Sequence, residues 1–390
     1  MCIRDRPDPA SMRPRDIKEF LWLAKKAWAL GEKEIYEYIR FFTLSAAEFL
    51  EDYFENDLIK AAMASPGVIG TALGVQSPGS AYILLHHVMG DVDGSIGAWG
   101  LARGGMGAIS DSIASAFEEA GGKILAEAPV QRILVRNGKA SGVVLENGDE
   151  LSSRIVVSNL DAKRTFTQVM DKYDLPAGIY DRAKNFKIRG SSGKVNIALD
   201  GLPKFTHLPD NRYIDRGGQT FAGSLETMER AYDCWKRGRW SDDPFVEAFI
   251  PSPWDPTVAP PGKHWMACFV QYCPAELADG PWTPDKRDAF GQTVVDKIER
   301  YSPGFKDLIV HMEVRTPHEI ENEIGLTEGN IFQGELTIDQ LFFNRPFPGY
   351  GQYRMPVRNL YMCGSSTHPG GGVSAACGAN AAREILIDLR

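Results

Sequence analysis

The residues best suited to chemistry lie near the C-terminus. A short apolar run, residues 360–363, leads through a loop that contains Gly370, Gly371 and Gly372 into a predicted helix that begins at about Gly372. Within a helix each glycine would cost about 1 kcal/mol relative to alanine, so three in a row indicate that another group approaches the backbone closely. A plain strand-to-helix turn accounts for the same spacing equally well. On the residues alone, both interpretations stay open.

If a ligand is the reason for these glycines, the start of the helix indicates its chemistry. Backbone N–H groups there carry partial positive charge and bind anions. The pyrophosphate and ribityl oxygens of a dinucleotide cofactor accept hydrogen bonds from such groups. The N1–C2=O edge of a flavin, which gains negative charge on reduction, accepts them too. Ser374, Ala375 and Ala376 are small enough for this helix to lie against a ring system or a sheet.

Signatures of other catalytic classes are missing from the sequence. Residues 190–193 have the wrong spacing for a nucleophile elbow, and residues 318–322 lack the second histidine of a zinc-protease motif. His86 and His87 are adjacent on a predicted helix, so they point about 100° apart and cannot easily hold one ion. His368 could face a flavin or cap a backbone carbonyl. No catalytic base is therefore nominated.

Composition narrows the functional class further. The 390 residues carry a formal net charge of -8, which argues against a nucleic-acid-binding face. Six scattered cysteines, without a Cys-x-x-Cys pair, are typical of buried thiols in a reducing compartment. No apolar run approaches the roughly 18 residues that span a bilayer. Residues 1–9 lack the apolar core of a secretory signal, and we interpret them as an arbitrary leader.

Helices and strands can be placed around these residues. In residues 16–64 apolar side chains recur every three or four positions, which predicts amphipathic helices whose aromatic residues pack in a core. The glycine-rich residues 103–107 open another helix, which Gly121 ends. Strands are also expected at residues 194–199, 245–250, 265–272 and 309–314, and an amphipathic helix at residues 284–301.

A β-meander is predicted in the middle of the chain. Asn137-Gly138 and Asn147-Gly148 separate three apolar runs. Asn-Gly is the strongest short hairpin signal, because both turn residues then adopt positive φ. The third run, residues 155–158, begins Ile-Val-Val, which predicts a strand buried on both faces as in a parallel sheet.

In order and spacing, these segments resemble the phytoene-desaturase-like FAD-dependent oxidoreductases. That group belongs to the glutathione-reductase-type flavoprotein superfamily, alongside the amine oxidases. The resemblance covers nearly the whole chain and rests on residues 99–107, 156–159, 329–334, 339–343 and 360–378. Within the group the chain resembles the pyridine nucleotide-disulfide oxidoreductase domain-containing protein 2 subfamily in particular. The cofactor that the resemblance implies is FAD.

The resemblance also implies roles for individual residues. The cofactor-binding set would be Val130, Ser158, Asn159, Gly364, Ser365, Gly371, Gly372 and Val373. Gly364 and Ser365 would contact the pyrophosphate or ribityl chain, Ser158 and Asn159 would lie near the phosphates, and the backbone of Val130 would pair with the adenine. Gly371, Gly372 and Val373 would present N–H groups to the flavin. The substrate cleft would be bordered by Arg103, Gly104, Gly105 and Met106.

One part of the family pattern is missing. FAD domains of this kind begin with a strand, a Gly-x-Gly-x-x-Gly turn and a helix, followed about 20 residues later by an acid that holds the ribose. The nearest match, residues 105–110, ends in serine and follows no strand. The absence predicts N-terminal truncation, with residues 155–158 and 360–363 flanking the place of a missing central strand. Weak FAD binding and low solubility of the chain alone would follow.

The expected fold is α/β: an incomplete Rossmann-like FAD-binding domain with a β-meander, plus a mixed α+β substrate domain. The expected segments are 1–90 (helical and substrate-covering), 91–165 (FAD domain with the meander), 166–345 (substrate domain) and 346–390 (the C-terminal strand and helix of the FAD domain).

The expected function is that of an FAD-dependent oxidoreductase, dehydrogenase- or desaturase-like, acting on a hydrophobic small molecule. One alternative is an FAD-dependent amine oxidase. The other is a non-catalytic fragment or partner-binding protein that no longer holds FAD. No metal, nucleic-acid partner or transmembrane segment is expected, and the substrate and electron acceptor stay unidentified. The expected compartment is the cytoplasm, although the subfamily includes a mitochondrial relative.

Overall fold

The computed structural model describes residues 13–208 and 218–390. They form two compact units: residues 13–43, 127–189 and 325–390 in the first, and residues 44–126, 190–208 and 218–324 in the second. The leader at residues 1–9 lies outside the described residues.

In chain order the helices are α1 (Pro14–Leu30), α2 (Glu32–Thr43), α3 (Ala46–Glu51), α4 (Asp57–Ala64), α5 (Ser80–Val88), α6 (Gly107–Glu119), α7 (Ala162–Thr167), α8 (Ile179–Lys184), α9 (Leu225–Lys236), α10 (Pro284–Tyr301), α11 (Pro317–Ile324) and α12 (Ala376–Asp388). The strands are β1 (Asp91–Val92), β2 (Ser95–Ile96), β3 (Val130–Arg136), β4 (Lys139–Leu145), β5 (Glu150–Ser152), β6 (Val156–Ser158), β7 (Ser192–Leu199), β8 (Gln219–Phe221), β9 (Phe245–Phe249), β10 (His264–Gln271), β11 (Ile309–Arg315) and β12 (Leu360–Met362).

The boundaries of the two units differ from the boundaries of the expected segments. Residues 91–126 group with the second unit and not with the meander. Residues 166–189 and 325–345 group with the first. Residues 166–189 group with the first unit because of packing. Phe166, Phe186 and Ile188 share one apolar core with Ile133 of the meander and Met362 of β12.

The helices at residues 16–64 form as expected, but core packing is confirmed only for part of them. Ala46 and Leu50 of α3 are buried in the core of the second unit. In α1, by contrast, only Asp16 is buried, α2 buries none of its residues, and Trp28 is 89% exposed. The periodic apolar side chains of α1 and α2 are therefore exposed or only partly buried, and among the latter Phe42 packs against the ring of Phe342.

An antiparallel meander forms as the sheet β3-β4-β5, but its third strand is β5 and not the predicted run at residues 155–158, which forms β6 and pairs with β12. Asn137 and Gly138 both have positive φ, as the first turn requires. The second turn differs, because only Gly148 has positive φ. There the Gly148 N–H donates to the Leu145 carbonyl at 2.9 Å, and the Asn147 side chain accepts from the Asp149 N–H at 3.0 Å. The second turn therefore has one left-handed residue, Gly148, and the Asn147 side chain stabilises it through this hydrogen bond.

The expectation that a missing strand separates residues 155–158 from residues 360–363 is wrong. β6 and β12 pair directly and in parallel, with Val157 opposite Tyr361. β12 is buried throughout, but Val157 of β6 is 41% exposed, so β6 is not buried on both faces either. Among the described residues β12 is the only strand paired with β6, which leaves the other edge of β6 unpaired.

The second unit contains a five-stranded antiparallel sheet in the order β11-β7-β10-β9-β8. The strands β7, β9, β10 and β11, and the helix α10, confirm the predicted elements within one or two residues, whereas β8 was not predicted. Val195, Met266 and Val246 point to one face and pack with Val294 of α10 in a large apolar core. The helix predicted after residues 103–107 forms as α6, and it buries none of its residues.

Candidate cofactor-binding site

The parallel pairing of β6 with β12 brings two predicted site segments together, because parallel strands end at the same edge of a sheet. The Cys363 N–H donates to the Ser158 carbonyl at 2.9 Å. Directly after these residues, Gly364 lies against the carbonyl group of Asn159, where a β-carbon would overlap the carbonyl oxygen. Only glycine allows this approach.

Ser158 and Asn159 differ in what they can offer a ligand. The Ser158 hydroxyl is buried, lies 2.8 Å from the Thr165 hydroxyl and accepts from the Leu160 N–H at 3.3 Å. It therefore fixes the chain where α7 begins. Asn159 is exposed, so its side chain is open to a ligand.

The first half of the C-terminal loop, residues 364–371, is held by hydrogen bonds inside the first unit. The Ser366 hydroxyl accepts from the Ala162 N–H at 2.9 Å and donates to the carbonyl of Gln333. The Thr367 hydroxyl donates to the Gly364 carbonyl at 2.8 Å. We call this stretch the inner loop.

A buried arginine binds the inner loop, and the sequence analysis did not identify it. Arg345 has an exposed fraction of 0%, and its guanidinium donates to five backbone carbonyls. The shortest bond, 2.6 Å, goes to Ser365. The acceptors are the carbonyls of Phe332, Gly334, Glu335, Gln340 and Ser365. Arg345 thereby ties residues 332–340 to the loop.

The segment that faces the inner loop is itself cross-linked. The Asn330 side chain accepts from the N–H groups of Phe332 and Gly334 and donates to the Arg189 carbonyl at 2.8 Å. Glu335, which is 1% exposed, forms a two-pronged pair with Arg189 at 2.6 and 2.9 Å. Bidentate pairs of this kind are strong and geometrically specific, so residues 330–335 form a fixed wall.

Residues 372–375 form what we call the outer loop, and they differ from the inner loop. Gly371 is buried, and a β-carbon there would overlap the ring of Phe332. Gly372 has a φ of +146°, and its own β-carbon would meet no atom within 4 Å. Val373 is 75% exposed. The outer loop therefore presents its backbone to open space.

The helix after the outer loop begins later than expected. α12 starts at Ala376 and not at Gly372, because Gly372 and Ala375 have non-helical backbone with positive φ. Ala375 occupies the N-cap position and offers no side-chain cap. The Ser374 hydroxyl lies 3.4 Å from the Ala376 N–H. The first turn of this helix, with its partial positive charge, is thus open beside the exposed backbone of Gly372.

A buried polar atom beside Gly364 fits a hydrogen-bonding ligand. The side-chain oxygen Oε1 of Gln333 is shielded from solvent and, within the described part of the chain, accepts no hydrogen bond. It lies where a β-carbon of Gly364 would approach within 2.7 Å. Leaving such an acceptor unsatisfied costs about 1–3 kcal/mol. A hydroxyl group of a bound cofactor, such as that of a ribityl chain, would satisfy it.

Residues 17–237 match the family described as Flavin containing amine oxidoreductase. The match covers more than half of the chain. This protein belongs to the flavin-containing amine oxidoreductase family. Flavin is thus the cofactor of the family, and the open glycine backbone, the uncapped helix and the free Gln333 oxygen agree with that cofactor.

Curated relatives support the assignment. The chain is 38% identical over 386 residues to the pyridine nucleotide-disulfide oxidoreductase domain-containing protein 2 of Rattus norvegicus, covering 97% of this chain and 66% of the relative. It is 28% identical over 282 residues to a phytoene desaturase (neurosporene-forming) of Rhodobacter capsulatus, covering 71% of this chain and 51% of the relative. The chain therefore spans about two thirds of the length of its most similar relatives.

Solved structures share the mixed α/β fold. A triple mutant of a putrescine oxidase aligns with a TM-score of 0.56 at 15% identity, covering 90% of this chain and 69% of that one. An oxidoreductase from Methanosarcina mazei aligns with a TM-score of 0.54 at 17% identity, covering 88% and 68%. At these identities the likeness concerns the fold alone.

The other predicted site residues of this family member lie elsewhere. Val130 starts β3, is 40% exposed, and no hydrogen bond among the described residues joins it to the inner or outer loop. Arg103, Gly104, Gly105 and Met106 precede α6 in the second unit. Met106 is 50% exposed, and the Gly104 N–H donates to Asp255 at 2.5 Å. Their assignment to a substrate cleft stays a prediction.

The histidine and cysteines near the loop do not form a reactive group. His368 is buried, its carbonyl accepts from the Tyr353 hydroxyl at 3.0 Å, and its ring lies near Phe342. The Cys377 thiol is buried against the carbonyls of Thr367 and Gly370. Burial raises the pKa of the Cys363 thiol, so it is a poor nucleophile.

Among residues 13–208 and 218–390, no group of three or more potential metal ligands is found. Within the same residues, no helix is both long and apolar enough to cross a membrane.

Proposed function

We propose that this protein is an FAD-dependent oxidoreductase that oxidises a small molecule. The observation that carries the proposal is the pair of open features in the first unit, the outer loop and the Gln333 oxygen beside Gly364, at the edge where β6 and β12 end. In open α/β sheets, ligands bind beyond the carboxyl ends of the strands. A Rossmann-like domain of the glutathione-reductase type is the finer fold that we propose for this unit.

In this proposal the backbone of the outer loop does most of the binding. The N–H groups of Gly372 and Val373 would donate to the flavin, Gly364 and Ser365 would contact the ribityl chain or pyrophosphate, and Asn159 would approach the phosphates. The first turn of α12 would stabilise negative charge that develops on the bound ring. Val130 would pair with the adenine through its backbone.

Bound FAD supplies the oxidant, taking up the hydride equivalent that the substrate loses and passing the electrons to oxygen, a quinone or another acceptor. The chain's own groups bind, orient and shield the reactants. No side chain is proposed as a catalytic base, because hydride transfer depends mainly on orientation.

The substrate is proposed at the level of bond type. A hydrophobic molecule oxidised at a C–C bond is favoured by the relatives named phytoene desaturase. Oxidation of a C–N bond is the second candidate, favoured by the amine oxidoreductase family match. Turnover of matched alkene-precursor and amine substrates by the purified flavoprotein separates them. We keep the cytoplasm as the proposed compartment and residues 91–165 with 346–390 as the proposed FAD segments.

The cofactor is tested with Gly372→Val. In full-length protein, we expect this variant to lose bound flavin, measured by absorbance in the flavin bands after gel filtration, because a side chain would occupy the ligand's place. The matched control is Val373→Ala, which leaves the backbone free and should keep the flavin. Normal flavin content in Gly372→Val, with only a lower melting temperature, would contradict the proposal.

A further inference from the structure

The five-stranded sheet of the second unit has two unlike faces. One face packs on α10 through a large set of buried apolar side chains. On the other face, Phe245 and Phe269 belong to the core formed with helices α3, α4 and α9. There Gln271 donates to the carbonyls of Val68 and Thr71 and accepts from the Gly70 N–H at 2.8 Å. Gln271 and Phe245 are 0% and 1% exposed, so the helical layer covers this end of the face.

The next row of this face carries two opposite charges. Antiparallel pairing places Lys194 of β7 opposite Phe269 of β10, and Phe269 opposite Glu247 of β9. Residues directly opposite one another point to the same face, so the three side chains form one row across the sheet. Each is partly exposed, beside a row that is fully covered. The row therefore lies at the margin of the helical layer.

Neither charge is neutralised by a contact. Among the described residues, neither Lys194 nor Glu247 forms a hydrogen bond or an ion pair. Burial lowers the pKa of Lys194 and raises the pKa of Glu247, and the attraction between the two charges opposes each shift only in part. A partly buried charge without a partner is unfavourable. A ligand that supplies the missing partners would therefore bind favourably to this pair.

The residues around the row have the character of a ligand site. Phe249 of β9 and Trp265 of β10 lie on the same face and are partly exposed. Asn196, one row away from Lys194, has a solvent-shielded oxygen Oδ1 that accepts no hydrogen bond from the described part of the chain. Apolar walls with a few unsatisfied polar groups are typical of small-molecule sites.

The edge strand of the same face shows that this is not simply a solvated surface. On β11, Arg315 lies opposite Lys194 and pairs with Glu313 at 2.9 Å and with Glu323. The charges at the edge are thus all paired, whereas those in the middle of the sheet are not.

We propose that Lys194, Phe269 and Glu247 form a binding site for a small molecule with an anionic group at one end, an amine at the other and an apolar chain between them. The anion would pair with Lys194, the amine with Glu247, and the chain would lie on Phe269. Strands are about 4.8 Å apart, so the two charged ends belong to backbones about 10 Å apart. That this molecule is the substrate rests on the proposed oxidoreductase function; the binding itself does not.

The first experiment uses full-length protein and three probes: 6-aminohexanoate, hexanoate and hexylamine. Isothermal titration should show that 6-aminohexanoate binds at least about tenfold more tightly than either probe that lacks one charged end. Equal affinity for the three probes, or no binding of any of them, would overturn the proposal. This comparison needs no variant.

Two variants then assign the ends. Lys194→Met should lower the affinity for 6-aminohexanoate and hexanoate about tenfold and leave the affinity for hexylamine unchanged. Glu247→Gln should lower the affinity for 6-aminohexanoate and hexylamine about tenfold and leave the affinity for hexanoate unchanged. The control is Lys306→Met, which removes an exposed lysine of the same unit that pairs with Asp296 and should change no affinity. Equal loss for all probes in both variants would mean that the residues serve only the fold.

Absorbance in the flavin bands, recorded on the same samples, separates the two proposals. Flavin retained without selective probe binding would overturn the site and leave the oxidoreductase function standing. Selective probe binding without any flavin retained would support the site and contradict the function.

Discussion

The inner and outer loops are adjacent in sequence, and both are rich in glycine, yet their glycines have different causes. At Gly364 and Gly371 the space for a side chain is filled by the protein itself, by Asn159 and by Phe332. At Gly372 of the outer loop no atom of the chain lies within 4 Å of a β-carbon. Packing within the chain therefore explains the glycines at positions 364 and 371, but it does not explain Gly372. A glycine motif alone does not distinguish these causes.

Arg345 should give the largest effect, because its guanidinium joins the inner loop to residues 332–340. In Arg345→Met, five buried carbonyls lose a charged donor. At about 1–3 kcal/mol for each unsatisfied buried group, we expect a loss of more than about 3 kcal/mol in the free energy of unfolding, measured by denaturant titration. Arg345→Lys should recover part of it. Unchanged stability in the methionine variant would show that Arg345 does not hold the loop.

The next effect concerns the anchor of α12. The carboxylate of Glu384 accepts from Arg15 and Arg354, each at 2.7 Å, and Asp388 accepts from Arg354 and Tyr361. Hydrogen bonds and the nearby arginines lower the pKa of Glu384, although burial opposes this, and the Arg354 hydrogen bonds lower the pKa of Asp388.

A carboxyl with a lowered folded-state pKa contributes stability above its unfolded pKa and loses it as pH falls through the folded value. The wild-type chain should therefore begin to lose stability as the pH falls below the ordinary carboxyl range near 4.5, and Glu384→Gln should be less stable at neutral pH and lose less on acidification. Parallel melting curves for both proteins across this pH range would contradict the role of the network.

Gly371→Ala tests the inner loop at a single position. Its β-carbon would overlap the Phe332 ring, and overpacking of this kind costs about 1–3 kcal/mol. Phe332→Leu, which makes room, should reduce the cost of the alanine. A double-mutant cycle by thermal unfolding measures this coupling, and strictly additive effects would mean that the two residues do not meet.

The smallest effect is expected at a glycine that serves only a turn. Gly148 has a φ of +92°, and its β-carbon would meet open space. Gly148→Val should cost about 1–3 kcal/mol through backbone strain and leave flavin retention unchanged. Gly138→Val in the neighbouring turn should behave alike. Loss of flavin in either variant would contradict the expectation that only substitution in the outer loop, and not in a turn, abolishes flavin retention.

Local signals in the sequence sufficed for much of the fold. The Asn-Gly pairs predicted the meander, and alternating or helical apolar periods predicted β7, β9, β10 and α10, because each of these elements buries a face whose period is visible in the sequence. The start of α12 was placed four residues too early, because the left-handed backbone of Ala375 has no sequence signal.

Long-range features could not be predicted in this way. The pairing of β6 with β12 joins residues about 200 positions apart, and a strand three residues long does not specify its neighbour. Arg345 is one arginine among many in the sequence, and its role depends on carbonyls from two other segments. Whether a buried polar atom such as the Gln333 oxygen has a hydrogen-bond partner likewise depends on tertiary packing alone.

The unpaired edge of β6 has a consequence for how this chain behaves in concentrated solution. The exposed side chain of Val157 and the free backbone groups beside it can add a strand from any chain that offers one. The same edge that would extend the sheet within one molecule is available for pairing between molecules. We therefore expect any self-association of the chain through this edge to increase with protein concentration.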